Sequence, residues 1–352
     1  MPHCYPFLSD AWQQALLDAA VVAPHPAAPW QLLEMPQPQA WLPLYCRHDS
    51  SGEYVFDQLW AQASQRAGLA YYPKLVTAVP YTPVEGPRWR APAQRDAGDW
   101  VMEQVEQALS ARQASGWHLL FAEPAQRQQL AGAGLIERLD CHFRWYNRDY
   151  QNFDDFLAAL QSRKRKNMRK ERQRAQHGLQ IERAVGEQIP ATWWQAFYPC
   201  YAQTYFERGR RPYLSPRFFD SVQQRLAPQL MMVAATAPGQ PQPLATALYL
   251  FDDHALYGRY WGALAAQDAL HFELCYYQGI EFAIERGLRS FDPGVQGEHK
   301  LLRGFEPVLT ASLHWLREPR LQQAVADFCG REAQAVRNYR DDARQYLPFR
   351  SE

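Results

Sequence analysis

Residues 291–307, FDPGVQGEHKLLRGFEP, concentrate the side chains in this chain best suited to chemistry. Asp292 and Glu298 are carboxylates, His299 titrates near neutrality, and Lys300 and Arg303 are cations. Such a set can take a proton from an amine and stabilise a developing oxyanion. Gly294, Gly297 and Gly304 punctuate the stretch, and glycine lets backbone approach a ligand closely. Of the 37 Lys and Arg residues only five are lysine: Lys74, Lys164, Lys166, Lys170 and Lys300. A lysine kept in so arginine-biased a chain points to a compact charge rather than a planar fork.

Two further stretches carry reactive groups. In HFELCYYQGIEFAIE (271–285), Glu273, Tyr277 and Glu281 are one helical turn apart, and Glu273 is a second candidate proton acceptor. His271 and Cys275 have i, i+4 spacing, but no third ligand accompanies them, so no metal is expected. Tyr260, Trp261 and His271 flank the turn before this helix. With Arg303, and with Lys74 in the proline-broken run YYPKLVTAVPYTPVEG (71–86), they are candidate substrate contacts. The run SRKRKNMRKERQR (162–174) holds eight cations and one acid, Glu171. One reading is a solvated surface helix. The other is a binder of a phosphate-rich partner, such as tRNA, a nucleotide sugar, a cofactor pyrophosphate or an anionic membrane surface, through Arg163, Lys164, Arg165, Lys166, Arg169 and Lys170.

The elements that must position these groups follow from periodicity. A strand at 289–291 feeds the reactive loop, and α/β folds bind ligands beyond the carboxyl ends of strands. Residues 268–286 form a long helix ended by Gly287. Asn152, with Asp155 three residues on, starts a helix that runs into the basic segment. Strands are expected at 30–33, 41–45, 118–123, 135–147, 179–185, 230–235, 244–251, 255–261 and 311–316. Helices are expected at 8–22, 99–114, 193–208, 215–226 and 319–341. Helices and strands alternate similarly in both halves, which implies an α/β (α+β) chain of two lobes with mixed sheets. The lobes would be 1–150 and 151–318, with the terminal helix, within 319–352, packing back on the first.

Composition sets the limits. The 352 residues are 47% apolar and 21% charged, a globular balance, and the net charge is zero. Attraction for nucleic acid must therefore come from a local patch. The six cysteines, Cys4, Cys46, Cys141, Cys200, Cys275 and Cys329, form no CxxC pair, so neither a zinc ribbon nor a disulfide framework is expected. A reducing cytoplasm is the simplest setting. No basic segment precedes the first apolar stretch and Asp18 interrupts it, so neither signal peptide nor membrane span is expected. The motifs GxSxG, HExxH, Walker A and GxGxxG are absent. So is a Gly-rich cradle for the CoA pyrophosphate after a strand.

YYPKLVTAVPYTPVEG, FDDFLAALQSRKRKNMRKERQRAQHG, LYGRYWGALAAQDALHFELCYYQGIEFAIERGL and FDPGVQGEHKLLRGFEP, in this order, resemble the FemAB-like peptidoglycan biosynthesis/recognition branch of the GNAT superfamily. The likeness runs from about Phe7 to Phe349. It implies two tandem GNAT-like lobes with the active cleft in the second. It also implies transfer of an acyl or aminoacyl group from aminoacyl-tRNA to an amine on a peptidoglycan precursor or other small molecule. The resembling enzymes carry a Phe-Lys pair where this chain has His299–Lys300. Their lysine helps hold the reacting oxygens. Their Lys/Arg-x-x-Arg-Lys segment before a glycine corresponds to Asn167–Gly178. No tightly bound cofactor is implied. A CoA-dependent N-acyltransferase, with acyl-CoA as donor, and a non-catalytic module binding RNA or a cell-wall precursor are the alternatives.

Overall fold

The computed structural model describes residues 5–295 and 297–350, and Cys4 lies outside them. The chain begins with α1 (Asp10–Asp18), β1 (Val22–Ala23), β2 (Trp30–Leu32), β3 (Tyr45–Arg47), α2 (Gln58–Arg66) and β4 (Lys74–Thr77). It continues with α3 (Ala97–Arg112), β5 (Gly116–Leu119), α4 (Pro124–Gln129) and β6 (Ile136–Tyr146). Next come α5 (Phe153–Ala158), α6 (Ser162–Gln176), β7 (Gln180–Val185), α7 (Ala191–Phe206), α8 (Pro216–Leu226), β8 (Leu230–Thr236), β9 (Ala245–Phe251) and β10 (Ala255–Ala263). After α9 (Leu270–Phe272) a π-helical turn (Glu273–Tyr277) leads into α10 (Gln278–Glu285), followed by β11 (Ser290–Asp292), β12 (Glu306–Leu316) and α11 (Pro319–Arg344).

Two compact units result. One is Phe7–Cys141 with Leu309–Arg340; the other is His142–Val308 with the segments before Phe7 and from Asp341 onward. The strands of the first run β1-β2-β3-β4-β5-β12, and those of the second β7-β8-β9-β10-β11-β6. Both contain three antiparallel neighbours (β2-β3-β4 and β8-β9-β10), then one parallel pair (β4–β5 and β10–β11). In each, an antiparallel strand from elsewhere in the chain follows, β12 on β5 and β6 on β11. The expected mixed α/β architecture with two lobes is thus present.

Local chemistry explains most boundaries. Ser9 Oγ accepts the Trp12 N–H at the start of α1, and Asn152 Oδ1 accepts the Asp155 N–H at the start of α5. Pro216 occupies the first turn of α8, where its missing N–H costs nothing. Three expectations need correction. The strand expected at 41–45 begins only at Tyr45. Trp41 makes an isolated bridge to Arg90, and Pro43 has no N–H for a ladder. The strand expected at 118–123 ends at Leu119, and Phe121 adopts φ 56°. The basic segment is not a continuation of α5, because the chain breaks helix at Leu160 to bridge Phe349.

In the unit that carries the reactive loop, Phe156, Val233, Tyr249, Leu274, Ile280, Phe291 and Phe305 build the core. β11 is buried at Phe291 and Asp292, so the loop leaves the sheet from a fixed base.

Candidate active site

β11 delivers Asp292 to a Pro293–Gly294 turn, and Glu298–Arg303 then forms a 3₁₀ segment. Asp292 Oδ1 accepts the Gly294 N–H at 2.9 Å. Lys300 is 1% exposed and donates from Nζ to the Gly294 carbonyl at 2.5 Å. Burial pulls its ammonium from 10.5 down to about 8; Asp292 opposes that fall and Arg259 adds to it. Gly297 sits at φ 109°, and a Cβ there would lie 2.0 Å from the His299 ring. This glycine thus makes room for an imidazole, rather than for the close ligand approach expected of it. Glu298 is exposed at the start of the segment.

The facing helix completes the setting of His299. Its π turn departs from regular α geometry, as helices do at many functional sites. Tyr276 Oη lies 2.8 Å from His299 Nε2, and the rings of His271 and Phe272 pack against the same imidazole. Burial raises the Tyr276 phenol, so it stays protonated; its hydroxyl can accept from the His299 Nε2–H, the tautomer that leaves the Nδ1 lone pair free. Burial, then Arg303 and Lys300, lower the His299 pKa. Burial and the neighbouring His299, Lys300, Arg303 and Arg208 push His271 down to about 4. Both imidazoles are therefore neutral at pH 7.

The basic helix α6 is locked onto this site by Glu171 and Arg172, with Gln176 adding a bond. Arg303 grips Glu171 with Nε at 3.0 Å and Nη2 at 2.6 Å, donates from Nη1 to the His299 carbonyl at 2.6 Å, and lies 3.4 Å over the Phe272 ring. The Tyr277 hydroxyl also donates to Glu171. Arg172 donates to both oxygens of Glu273 (3.0 and 2.8 Å) and to Glu281 at 3.1 Å. Gln176 and Gln278 add bonds to Glu273 at 3.0 and 2.7 Å. Two expected roles change accordingly. Glu273 is 0% exposed and its oxygens are occupied, so it anchors α6 rather than awaiting a proton. Arg303 has its guanidinium on Glu171 and His299, so it positions the loop rather than meeting substrate directly.

The helix α6 also carries uncommitted charge, exposed at Arg163, Lys166 and Lys170 and half-buried at Lys164 and Arg165. Arg169 pairs with Asp154 and Arg174 with Asp268. Arg163, Lys164, Arg165, Lys166 and Lys170 have no acidic partner among the described residues. A groove of about 750 Å³ runs along the helix beside Asn167, Lys170, Arg174 and His177. A second cavity, about 520 Å³, is lined by Thr204, Glu207, Arg208, Trp261, Asp268 and His271. Asp268 thus lines the cavity and pairs with the basic helix.

Trp261 and His271 are together at this cavity, their rings 5.1 Å apart. Tyr260 is not with them. Strand alternation turns it to the other face of β10, where it packs on Tyr201 and Phe219. Lys74 belongs to the other unit, fully buried, with Nζ at 2.5 Å from Asp57 and 2.7 Å from Glu53. Among the described residues no group of three His, Cys, Asp or Glu is placed to hold a metal, and no helix is long and apolar enough to cross a membrane. Sequence reasoning missed Tyr276, Phe272 and the inward pair Glu171–Arg172. Glu171 was legible as the lone acid among eight cations; nothing in the sequence singled out Tyr276.

The FemAB-like family model, described as peptidoglycan biosynthesis/recognition, matches residues 2–351. The chain belongs to the FemAB-like family. The resemblance carried by its four stretches is thereby met. Among solved structures, FemX aligns with a TM-score of 0.54 at 10% identity, covering 92% of this chain and 95% of FemX. That likeness establishes a shared fold. L-PGS from Bacillus licheniformis aligns at 0.49 and 10% identity, over 74% of this chain and 84% of that one. A tandem GNAT protein from the clavulanic acid biosynthesis pathway aligns at 0.41 and 10% identity, over 88% and 94%. Among curated proteins there is no significant match.

Proposed function

We propose that this FemAB-like protein is an amide-forming acyltransferase whose donor is an aminoacyl-tRNA and whose acceptor is an amine on a peptidoglycan precursor or a similar small molecule. The observation that carries the reading is the coupling of α6 to the site. Its inward Glu171 and Arg172 hold the reactive loop and the π turn, while five cations, of which Arg163, Lys166 and Lys170 are exposed, lack an acidic partner among the described residues. A polyanion on the outer face would be registered against the cavity beside His271. Family membership agrees with this.

In the reaction, the acceptor nitrogen attacks the acyl carbonyl, the C–N bond forms, and the C–O bond to the ribose breaks. His299, neutral and oriented through Nε2 by Tyr276, takes the proton of the attacking amine at Nδ1 and returns it to the ribose oxygen, which leaves as a hydroxyl. The Lys300 ammonium, held by the Gly294 carbonyl and favoured by the nearby charge of Asp292, supplies positive potential for the developing oxyanion, a contribution of ~3 kcal/mol. Arg303 acts through Glu171 and the His299 carbonyl as a positioning residue.

The test is a transfer assay with tRNA charged with labelled amino acids and a peptidoglycan precursor, read by mass spectrometry of the acceptor. A new amide that disappears in His299→Ala supports the reading. Transfer from acyl-CoA but from no aminoacyl-tRNA would replace it with the CoA-dependent alternative.

A further inference from the structure

Helix α7 runs out into Glu207, Arg208, Gly209, Arg210 and Arg211, a segment given no role above. Gly209, at φ 66°, lets the chain turn, and the Gly209 and Arg210 N–H groups close the helix end on the Phe206 and Tyr205 carbonyls at 2.9 and 3.0 Å. The arginines therefore leave the helix on a fixed turn. Arg208, Arg210 and Arg211 are exposed, and none has an acidic partner among the described residues. The one acid of the segment, Glu207, accepts from Gln203 at 3.3 Å. Three cations against one carboxylate leave this end of α7 positive.

The cavity of about 520 Å³ joins this end to the basic helix. Arg208 lines it from α7. Asp268 lines the same cavity and pairs with Arg174 of α6 at 3.0 Å. Arg174 also lines the groove along α6, with Lys170 and His177. One concave track therefore runs from the cations of α6, past Arg174, through the cavity and on to Arg208. Inside it lie the half-buried rings of Trp261 and His271. Among the described residues nothing hydrogen-bonds to Trp261 Nε1 or to either ring nitrogen of His271. His271 is neutral, so it presents a ring rather than a further charge. Cations along a groove with aromatic surface between them are how proteins hold single-stranded nucleic acid.

We propose that Arg208, Arg210 and Arg211 bind the phosphates at the unpaired 3′ end of an RNA whose remainder lies along α6, with a base of that end in the cavity against Trp261. The inference rests on the reading of the donor as an aminoacyl-tRNA and adds a second grip to it. With both sides of the cavity holding phosphates, the esterified end is kept beside His271, whose ring is 6.0 Å from that of His299. A bilayer surface is flat and would meet the arginines without entering the cavity.

The experiment is filter binding of the full chain to a tRNA, and to the same tRNA trimmed of its unpaired 3′ nucleotides, across salt concentrations. For intact tRNA, Arg208→Gln, Arg210→Gln and Arg211→Gln together should weaken binding about tenfold and lower the slope against log salt by about 2, at ~0.7 for each single-stranded phosphate. Trimmed tRNA should bind wild type more weakly and bind the triple variant just as it binds wild type. Arg163→Gln, Lys166→Gln and Lys170→Gln together should weaken both RNAs. Circular dichroism checks that the exposed substitutions leave the fold intact. A triple variant that binds intact tRNA like wild type while the α6 variant binds less, or that weakens both RNAs equally, overturns this inference and leaves the donor reading standing. Wild type that binds no tRNA at all overturns both. Loss of anionic phospholipid vesicle binding in the triple variant, with tRNA binding unchanged, would assign the arginines to a membrane instead.

Discussion

Lys300→Met should make the protein more stable and the enzyme far slower. The ammonium is 1% exposed, and its pKa falls from 10.5 to about 8 in the fold. At 1.36 kcal/mol per pH unit, keeping it charged at pH 7 costs the native state about 3 kcal/mol. Methionine removes that cost but leaves the Gly294 carbonyl without its donor, a loss of about 1–2 kcal/mol. The net gain is then about 1–2 kcal/mol, a rise of roughly 2–8 °C in Tm for a unit of this size. The sign also fixes a pH window. Between about 8 and 10.5 the unfolded chain holds the Lys300 proton and the native state does not, so wild-type stability from this group rises across that range. In Lys300→Met this rise disappears. Urea unfolding followed by tryptophan fluorescence at pH 7 and pH 10 measures both effects. Turnover should fall about 100-fold or more, the usual penalty for removing one electrostatic donor. A Met variant that is less stable than wild type at pH 7, or that keeps full transfer activity, refutes the reasoning.

Exchanging Arg163, Lys166 and Lys170 for Gln should weaken tRNA binding and flatten its dependence on log salt by ~0.7–0.9 for each phosphate no longer neutralised, as filter binding across salt concentrations would record. Glu273→Ala leaves Arg172 largely buried beside Glu281 alone and should destabilise the unit by about 3–5 kcal/mol; wild-type stability would return Glu273 to the catalytic candidates. The pH profile of kcat should be bell-shaped. Activity falls on the acid side as His299 gains its proton, and on the basic side from about pH 8 upward as Lys300 gives up its own. A basic limb that stays in place in Lys300→Met would assign it to another group.

Much of this protein was legible from residue order alone. Helices announced themselves through 3.6-residue periodicity and caps such as Ser9, Asn152 and Pro216, because those signals are local and need no tertiary partner. The reactive loop stood out by its glycines and its rare lysine, and the basic helix by its charge count. Spacing placed Glu273 and Glu281 on one helical face, and the structure joins them through Arg172. What no spacing could decide was which groups are already taken. Glu273 and Arg303 looked like free reagents. Both are consumed by α6, whose docking depends on partners 101 and 132 residues away in sequence. Tyr276 acquires its place beside His299 only through a fold that brings helix and loop together. The environment that lowers Lys300 to about 8 is likewise a property of burial, which belongs to the packed unit and not to the residue. Sequence names the ionisable groups; tertiary packing determines which remain available and in which charge state.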